Sequence, residues 1–399
     1  MQNQRIYTLK FWLLCSSSFL FSSSFNMLIP ELPAYLSSLG GSAYKGYIIG
    51  LFTITAGLSR PFSGRLTDTI GRVPVMAIGS LVCVVCSLLY PMLTTVAGFL
   101  LLRLLHGFST GFKPTATAAY IADVVPFYRW GEAMGIHGLC FSTGLAIGPA
   151  LGGLITAYFP ISVLFYCSSF FAFGSIIILM NLKETHPDKQ RFHPKLLRIR
   201  WKDVFEPLVW PAAVITFLGY ISYGAILTLI PDWSEHLGVK NKGTFYVVFT
   251  VSSLLVRLLA GKLSDRKGRV FVLKIALVIM IVSVVLLGLA SSVTSLLAGG
   301  FVYGLSTGLF SPATSAWTAD LSHEQHRGRG MATMYISLEA GIGIGAMVAG
   351  WLFRDHLYMI PPIFYGCALV AGAGLIYLLY YHPLLQEAAS DPARTLEEV

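Results

Sequence analysis

The stretch "HGFSTGFKPTATAAYIAD", His106 to Asp123, returns 197 residues later as "YGLSTGLFSPATSAWTAD", Tyr303 to Asp320. Gly107, Ser109, Thr110, Gly111, Ala116, Thr117, Ala119, Ala122 and Asp123 all meet identical residues under that shift. The same offset carries "RPFSGRLTDTIGRV" (Arg60 to Val73) onto "RLLAGKLSDRKGRV" (Arg257 to Val270). It pairs Arg60 with Arg257, Gly64 with Gly261, Asp68 with Asp265, Gly71 with Gly268 and Arg72 with Arg269. It also places Gly144, Gly148 and Gly153 on Gly341, Gly345 and Gly350. One ungapped offset over three separated segments means that half of the chain was duplicated.

The composition says what was duplicated. The 399-residue chain is 55% hydrophobic and 12% charged, a balance that belongs in a bilayer. Apolar stretches of about 20 residues, each long enough to cross the hydrocarbon as helix, recur along the whole chain. Twelve spans are read, six in each copy. The first, near Phe21, is too long for a signal-peptide core and lacks a small-residue cleavage site. The six cysteines all fall inside spans and read as small apolar fillers.

A net charge of +9 looks like a nucleic-acid signal until the basic residues are placed between spans. Arg65, Arg72, Arg129, the run Lys183 to Lys202, Lys262 to Lys274, Arg327 and Arg329 then share one side, with Lys45, Lys240, Lys242 and Arg354 on the other. By the positive-inside rule both termini are expected in the cytoplasm, so the basic excess is topological and no nucleic-acid partner is implied. The expected organisation is a six-helix bundle over 1–182, a basic cytoplasmic linker over 183–206, and a second bundle over 207–399 with a short tail. "PKLLRIRWKDVF" in the linker is patterned to lie as an amphipathic helix on an anionic leaflet. An even number of spans per copy gives both copies the same orientation, related by an axis along the membrane normal, with a substrate path between them.

The motifs carry a resemblance. "GRLTDTIGR" (Gly64 to Arg72) and its copy "GKLSDRKGR" (Gly261 to Arg269) resemble the signature between the second and third helices of the major facilitator superfamily. "RLLHGFSTG" (Arg103 to Gly111) is similar to the fourth-helix signature, with His106 where glutamine is common. "GLAIGPALGG" (Gly144 to Gly153) is similar to the fifth-helix motif of proton-coupled antiporters. The likeness covers essentially the full chain and is nearest to twelve-helix bacterial drug and sugar-efflux exporters. It implies an all-α membrane fold of two pseudo-symmetric bundles in the bacterial inner membrane, alternating access, a monomer, and a proton gradient in place of any cofactor. It also implies an Arg72–Asp123 link and a contact of Asp68 with the other half, both made when the cytoplasmic side is closed. Gly64 and Gly71 would permit tight turns and close helix ends. Gly144, Gly148, Pro149 and Gly152 would kink the fifth helix and let it cross closely, with Ala346 replacing the proline in the second copy.

Within this frame Lys113 stands out. It lies ten residues before Asp123, about 15 Å inside at 1.5 Å per residue, and cannot snorkel that far. It is therefore expected to face the interior path; its mate in the repeat is Phe310. Glu339, in "MYISLEAGIGIG", lies at a similar depth in the other half and is its expected partner. Two readings compete: a proton site whose affinity is tuned by burial and by Lys113 acting in opposite senses, or a midplane latch. Arg103 is a candidate for proton coupling or anion contact by resemblance. His106 and His137 suit proton relay or plain packing. Glu31, in "IPELPAY", is placed at the outer end of the first helix. Many drug exporters of the family carry an acid within that helix, where this chain has Asn26, which weakens the case for lipophilic cations. Tyr220, Tyr223 and Tyr246 suit polar or zwitterionic solutes, while Arg60 and Arg257 read as gate braces.

The leading expectation is proton-coupled antiport of a small organic solute, polar, anionic or zwitterionic. Alternatives are proton symport or facilitated passage of a sugar or organic anion, a lipid or lysolipid flippase, and a transport-dead receptor. No Walker loop, nucleophile–base pair or HExxH spacing supports ATP use, catalysis or a metal site, so an enzyme is not expected.

Overall fold

The computed structural model describes residues 8–126, 129–186, 192, 193, 196, 204–322 and 327–381. Among them are twelve α-helices of 17 to 29 residues, one short α-helix and several single helical turns, with no strand. The first half holds α1 (Leu9–Asn26), the short α2 (Leu32–Ser38), α3 (Lys45–Thr67), α4 (Arg72–Leu89), α5 (Val96–Val124), α6 (Trp130–Tyr158) and α7 (Ile161–Met180). The second holds α8 (Trp210–His236), α9 (Gly243–Lys267), α10 (Arg269–Gly288), α11 (Val293–Leu321), α12 (Arg327–Phe353) and α13 (Ile360–Ile376). Eight are long and apolar enough to cross a membrane by length and composition: α4, α6, α7, α8, α10, α11, α12 and α13. Most of the segment expected as an amphipathic helix, 194–205, and the tail beyond 381 lie outside the described residues.

The duplication is visible at helix ends. Thr95 caps α5 by accepting from Gly98 N at 3.1 Å, and its repeat mate Ser292 caps α11 in a reciprocal box with Ser295. Shifting both ends of α5 by 197 reproduces both ends of α11.

The repeated small residues explain the opening stretch. A Cβ at Gly107 would collide with the Phe52 carbonyl, and one at Gly304 with the Phe249 carbonyl. Gly111 and Gly308 likewise meet Ser59 and Ser253. These glycines are where α5 crosses α3 and α11 crosses α9 at backbone contact. Gly144, Gly148 and Gly152 do the same for α6 against α1, at Phe19, Ser23 and Met27; Gly341 and Gly345 press α12 onto α8 at Phe217 and Ile221. Pro149 sits inside α6, which stays continuous from Trp130 to Tyr158.

One end of the bundle, the basic end, carries Arg65, Arg72, Arg129, Lys183, Arg266, Arg269 and Arg329. The halves touch at the opposite end. Gly46 of α3 lies against Ala346 and Gly350 of α12, and Gly243 of α9 lies against Pro149 and Ala150 of α6. Lys45 crosses the same seam, its Nζ 2.5 Å from both Asp232 and Asp355 of the second half. Asn241 Nδ2 donates to the Ala150 carbonyl at 3.1 Å.

Candidate functional site

Away from that seam the halves part around a cavity of about 1690 Å³. Its wall runs from Arg65, Asp68, Gly328 and Arg329 at the basic end to Asn26, Ile49 and Arg103 deep inside. Five arginines (Arg60, Arg65, Arg103, Arg257 and Arg329) and two carboxylates (Asp68 and Glu339) are on that wall. Arg329 is engaged by Glu206 at 3.1 Å.

Glu339 on α12 does not meet Lys113. Its Oε1 accepts from Arg60 Nη2 of α3 at 2.8 Å, and the Arg60 guanidinium lies 4.6 Å from the Tyr335 ring centroid. This ion pair joins the halves inside the cavity. Arg60 is therefore a wall residue, not only a brace at the gate. Its repeat mate Arg257 on α9 reaches the other way, to Ser142 Oγ of α6 at 3.3 Å.

Lys113 corrects the expectation of an interior-facing charge. Its side chain is 1% exposed and donates to the Ser17 carbonyl at 3.1 Å, to Ser17 Oγ at 2.9 Å and to Ser175 Oγ, with the Phe21 ring centroid 4.8 Å away. Depth along a helix fixes height but not direction. On α5 the cavity face is Thr110, Pro114, Thr115 and Ala118, whereas residue 113 turns toward α1 and α7. Serines of those two helices supply the acceptors that allow a polar group inside the first half.

The other candidates scatter. Arg103 lines the inner cavity, held by Nε to the Ile48 carbonyl at 2.9 Å and lying 4.6 Å from the Phe52 ring centroid. His106 is wholly buried between Tyr90 OH at 3.2 Å and Cys83 Sγ at 3.1 Å, off the cavity wall. His137 is on the wall, Nε2 2.9 Å from Ser18 Oγ. Asn26 is on the wall too, but its amide donates back to the Ser22 carbonyl at 2.7 Å. Tyr223 lines the cavity; Tyr220 packs behind it, with ring centroids 6.2 Å apart. Tyr246 is buried, and its hydroxyl has no hydrogen-bond partner among the described residues. Glu31 is buried at the end away from the basic loops, where burial pushes its carboxyl up against the opposing effect of Lys242.

At the basic end both motif copies fold alike. Gly71 and Gly268 take φ of 115° and 89°, values that a side chain would strain. Arg72 Nε binds Asp123 at 3.0 Å and Arg269 Nε binds Asp320 at 2.9 Å; each arginine also meets the aspartate four residues before it. Asp68 makes that contact within its own half and is 72% exposed, with the cavity mouth open beside it. Gly64 corrects the expectation of a close approach: nothing lies near the position of its would-be Cβ, because it borders the cavity. The surroundings of Gly261 lie outside the described residues.

Glu184 was not legible as a functional residue. Its carboxylate accepts from the backbone N–H groups of Arg72 and Val73, both at 3.0 Å, and so caps α4 from the far end of the half. Burial works against its charge, but these bonds and those from Thr185 and His186 outweigh it and hold the carboxyl below the usual range. Tyr335 and Ser142 were missed as well; the repeat register, which aligns Glu339 with Ser142 and Tyr335 with Gly138, was the signal that could have found them.

The fold, the duplicated motif and a cavity between two pseudo-symmetric halves define a membrane transporter. The chain matches the Major Facilitator Superfamily over residues 14–285 and again over 214–397, and it belongs to that family. It is 27% identical over 382 residues to "Multidrug resistance protein 2" of Bacillus subtilis, covering 92% of this chain and 94% of that protein. It is also 27% identical over 388 residues to the multi-drug resistance efflux pump PmrA of Streptococcus pneumoniae, covering 92% and 95%. The human organic anion transporter MFSD10 shares the fold, with a TM-score of 0.72 at 19% identity over 92% of this chain and 98% of that one. The protein is thus a multi-pass membrane transporter of small molecules, not an enzyme.

Proposed function

We propose that this transporter is a proton-coupled antiporter that exports a small organic solute, preferably anionic or zwitterionic, from the bacterial cytoplasm by alternating access, acting as a monomer. The observation that carries the reading is the Arg60–Glu339 pair, which ties α3 of one half to α12 of the other inside the cavity. Protonating Glu339 removes the charge that holds Arg60, so one proton loosens a link between the halves, and re-forming the pair expels it. Each proton moving through 100 mV supplies about 2.3 kcal/mol.

By the positive-inside rule the basic end faces the cytoplasm, and the cavity opening there takes solute from inside the cell. The curated relatives named for multidrug resistance and efflux support export as the direction. The arginine-rich wall favours solutes with an acidic group over lipophilic cations. Wild-type and Glu339→Gln protein in proteoliposomes under an imposed pH gradient test the reading. Substrate-driven proton counterflow is expected from the wild type alone; equal flux in both, or solute movement without protons, would overturn it.

A further inference from the structure

The two halves handle the same arginine differently, and the difference leaves a cation without a counter-charge. Arg60 crosses from α3 to meet the ring of Tyr335 and the carboxylate of Glu339 on α12. Arg257, its mate under the shift of 197, crosses from α9 to the matching turn of α6. There Gly138 stands where Tyr335 would be, and Ser142 where Glu339 would be. A Cβ built at Gly138 would lie 3.8 Å from Arg257 Nη1, so the ring that covers Arg60 has no equivalent over Arg257. Ser142 Oγ offers a hydroxyl at 3.3 Å in place of a carboxylate. Arg257 forms no ion pair among the described residues, and its Nε is buried with no hydrogen-bond partner. Both Arg257 and Ser142 line the cavity. The polar groups acting on it from the second half are the phenols of Tyr220 and Tyr335.

A half-buried guanidinium at membrane depth that has a hydroxyl but no counter-charge is costly unless something anionic shares the site. We infer that Arg257 and Ser142 form an anion subsite that takes the carboxylate of the transported solute. The guanidinium edge receives the carboxylate oxygens, Ser142 Oγ–H donates a further bond, and the vacancy above Gly138 admits the acid group. The solute's carboxylate then stands where Glu339 stands in the other half. A loaded cavity has two arginine–carboxylate pairs across the interface, one built in and one brought by the solute. This rests on the transport reading above and adds its substrate class: organic acids and zwitterions with a free carboxylate.

The test reads binding with no gradient, so that a failure of proton coupling does not touch it. Purified full-length protein in detergent is equilibrated by dialysis against 2-naphthoate or its neutral analogue 2-naphthamide, with a detergent-only cell as blank. Wild type is expected to bind the acid about tenfold more tightly than the amide, the size of one charge-assisted bidentate contact. Arg257→Gln is expected to abolish that preference. Ser142→Glu keeps Arg257 and gives it the partner that Arg60 already has; it is expected to fold normally, by melting temperature and gel filtration, and to lose the acid preference. Absence of saturable naphthoate binding, equal binding of acid and amide, or an acid preference that survives Ser142→Glu would each overturn the subsite. If the preference is found as expected but transport moves no protons, the subsite stands and the antiport reading falls.

Discussion

The two halves share helix ends, crossing glycines and gate arginines, yet differ at several places, these three among them. Arg60 meets Glu339 while Arg257 meets Ser142. Lys113 occupies a serine-lined interior of the first half while Phe310 fills the second. Glu184 caps α4, while among the described residues no atom lies within 4 Å of a Cβ built at Gly268 at the start of α10. Duplication supplies the scaffold, and the chemistry sits where the copies have diverged. Of these three, the first lies on the cavity wall between the halves.

The largest effect is expected from erasing that first difference in the opposite sense. Glu339→Gln leaves Arg60 without its carboxylate, a loss of about 2 kcal/mol once partial exposure of the pair is allowed for. Substrate-driven proton flux is expected to vanish. Lys113→Met, in contrast, removes a buried amino group whose partners are hydroxyls, a carbonyl and the Phe21 ring, with no carboxylate among the described residues, and is expected to leave proton flux unchanged, with melting temperature equal or higher. Parallel flux and melting measurements on the two variants check the contrast. Loss of coupling in the Lys113 variant would return that residue to the coupling site.

The repeat register made the fold legible: one offset marked two copies of a six-helix unit, and composition placed them in a membrane. The central site was legible only in part. Glu339 was found from charge and depth, but its partner was misassigned, because depth does not say which face of α5 a lysine occupies. Ser17 and Ser175, which decide that face, lie 96 and 62 residues from Lys113. Neither is distinguishable in sequence from the many other serines of α1 and α7. Arg257 was visible as the mate of Arg60, yet its unmet charge depends on Gly138 and Ser142, two unremarkable small residues.

A smaller effect is expected at the turn before α4. Gly71→Ala imposes a strained φ and also brings a methyl onto the Glu184 carboxylate, whereas Gly268→Ala imposes the φ with no clash among the described residues. The first is expected to cost about 1.5–2 kcal/mol and the second about 1. Thermal unfolding of both variants ranks them; equal losses would mean that Glu184 adds nothing to the first turn. Comparable in size is the seam away from the basic end. Lys45 joins the halves through Asp232 and Asp355, while its repeat mate Lys242 binds Glu235 within its own half. Lys45→Met is expected to shift the population about tenfold toward opening at that end, roughly 1.4 kcal/mol, and Lys242→Met to shift nothing. Spin-label distances between α3 and α12 read the difference.

The smallest effect is the pH dependence of the α4 cap. Glu184 is held below its ordinary carboxyl value, because its backbone donors outweigh burial. A depressed folded value means that its stabilisation is complete above the unfolded value of about 4.3 and is lost as pH falls through the folded one. Glu184→Gln is therefore expected to melt lower than wild type at about pH 7, by the equivalent of about 1 kcal/mol, since the amide accepts more weakly than the carboxylate. As pH drops below about 4 the two melting curves should converge, because protonation makes wild type resemble the variant. No such convergence is expected for Gly268→Ala, where backbone strain is indifferent to protons. A gap between wild type and Glu184→Gln that persisted unchanged into acid would show the residue acting through shape and not charge, and the two copies of the motif would then differ only in packing.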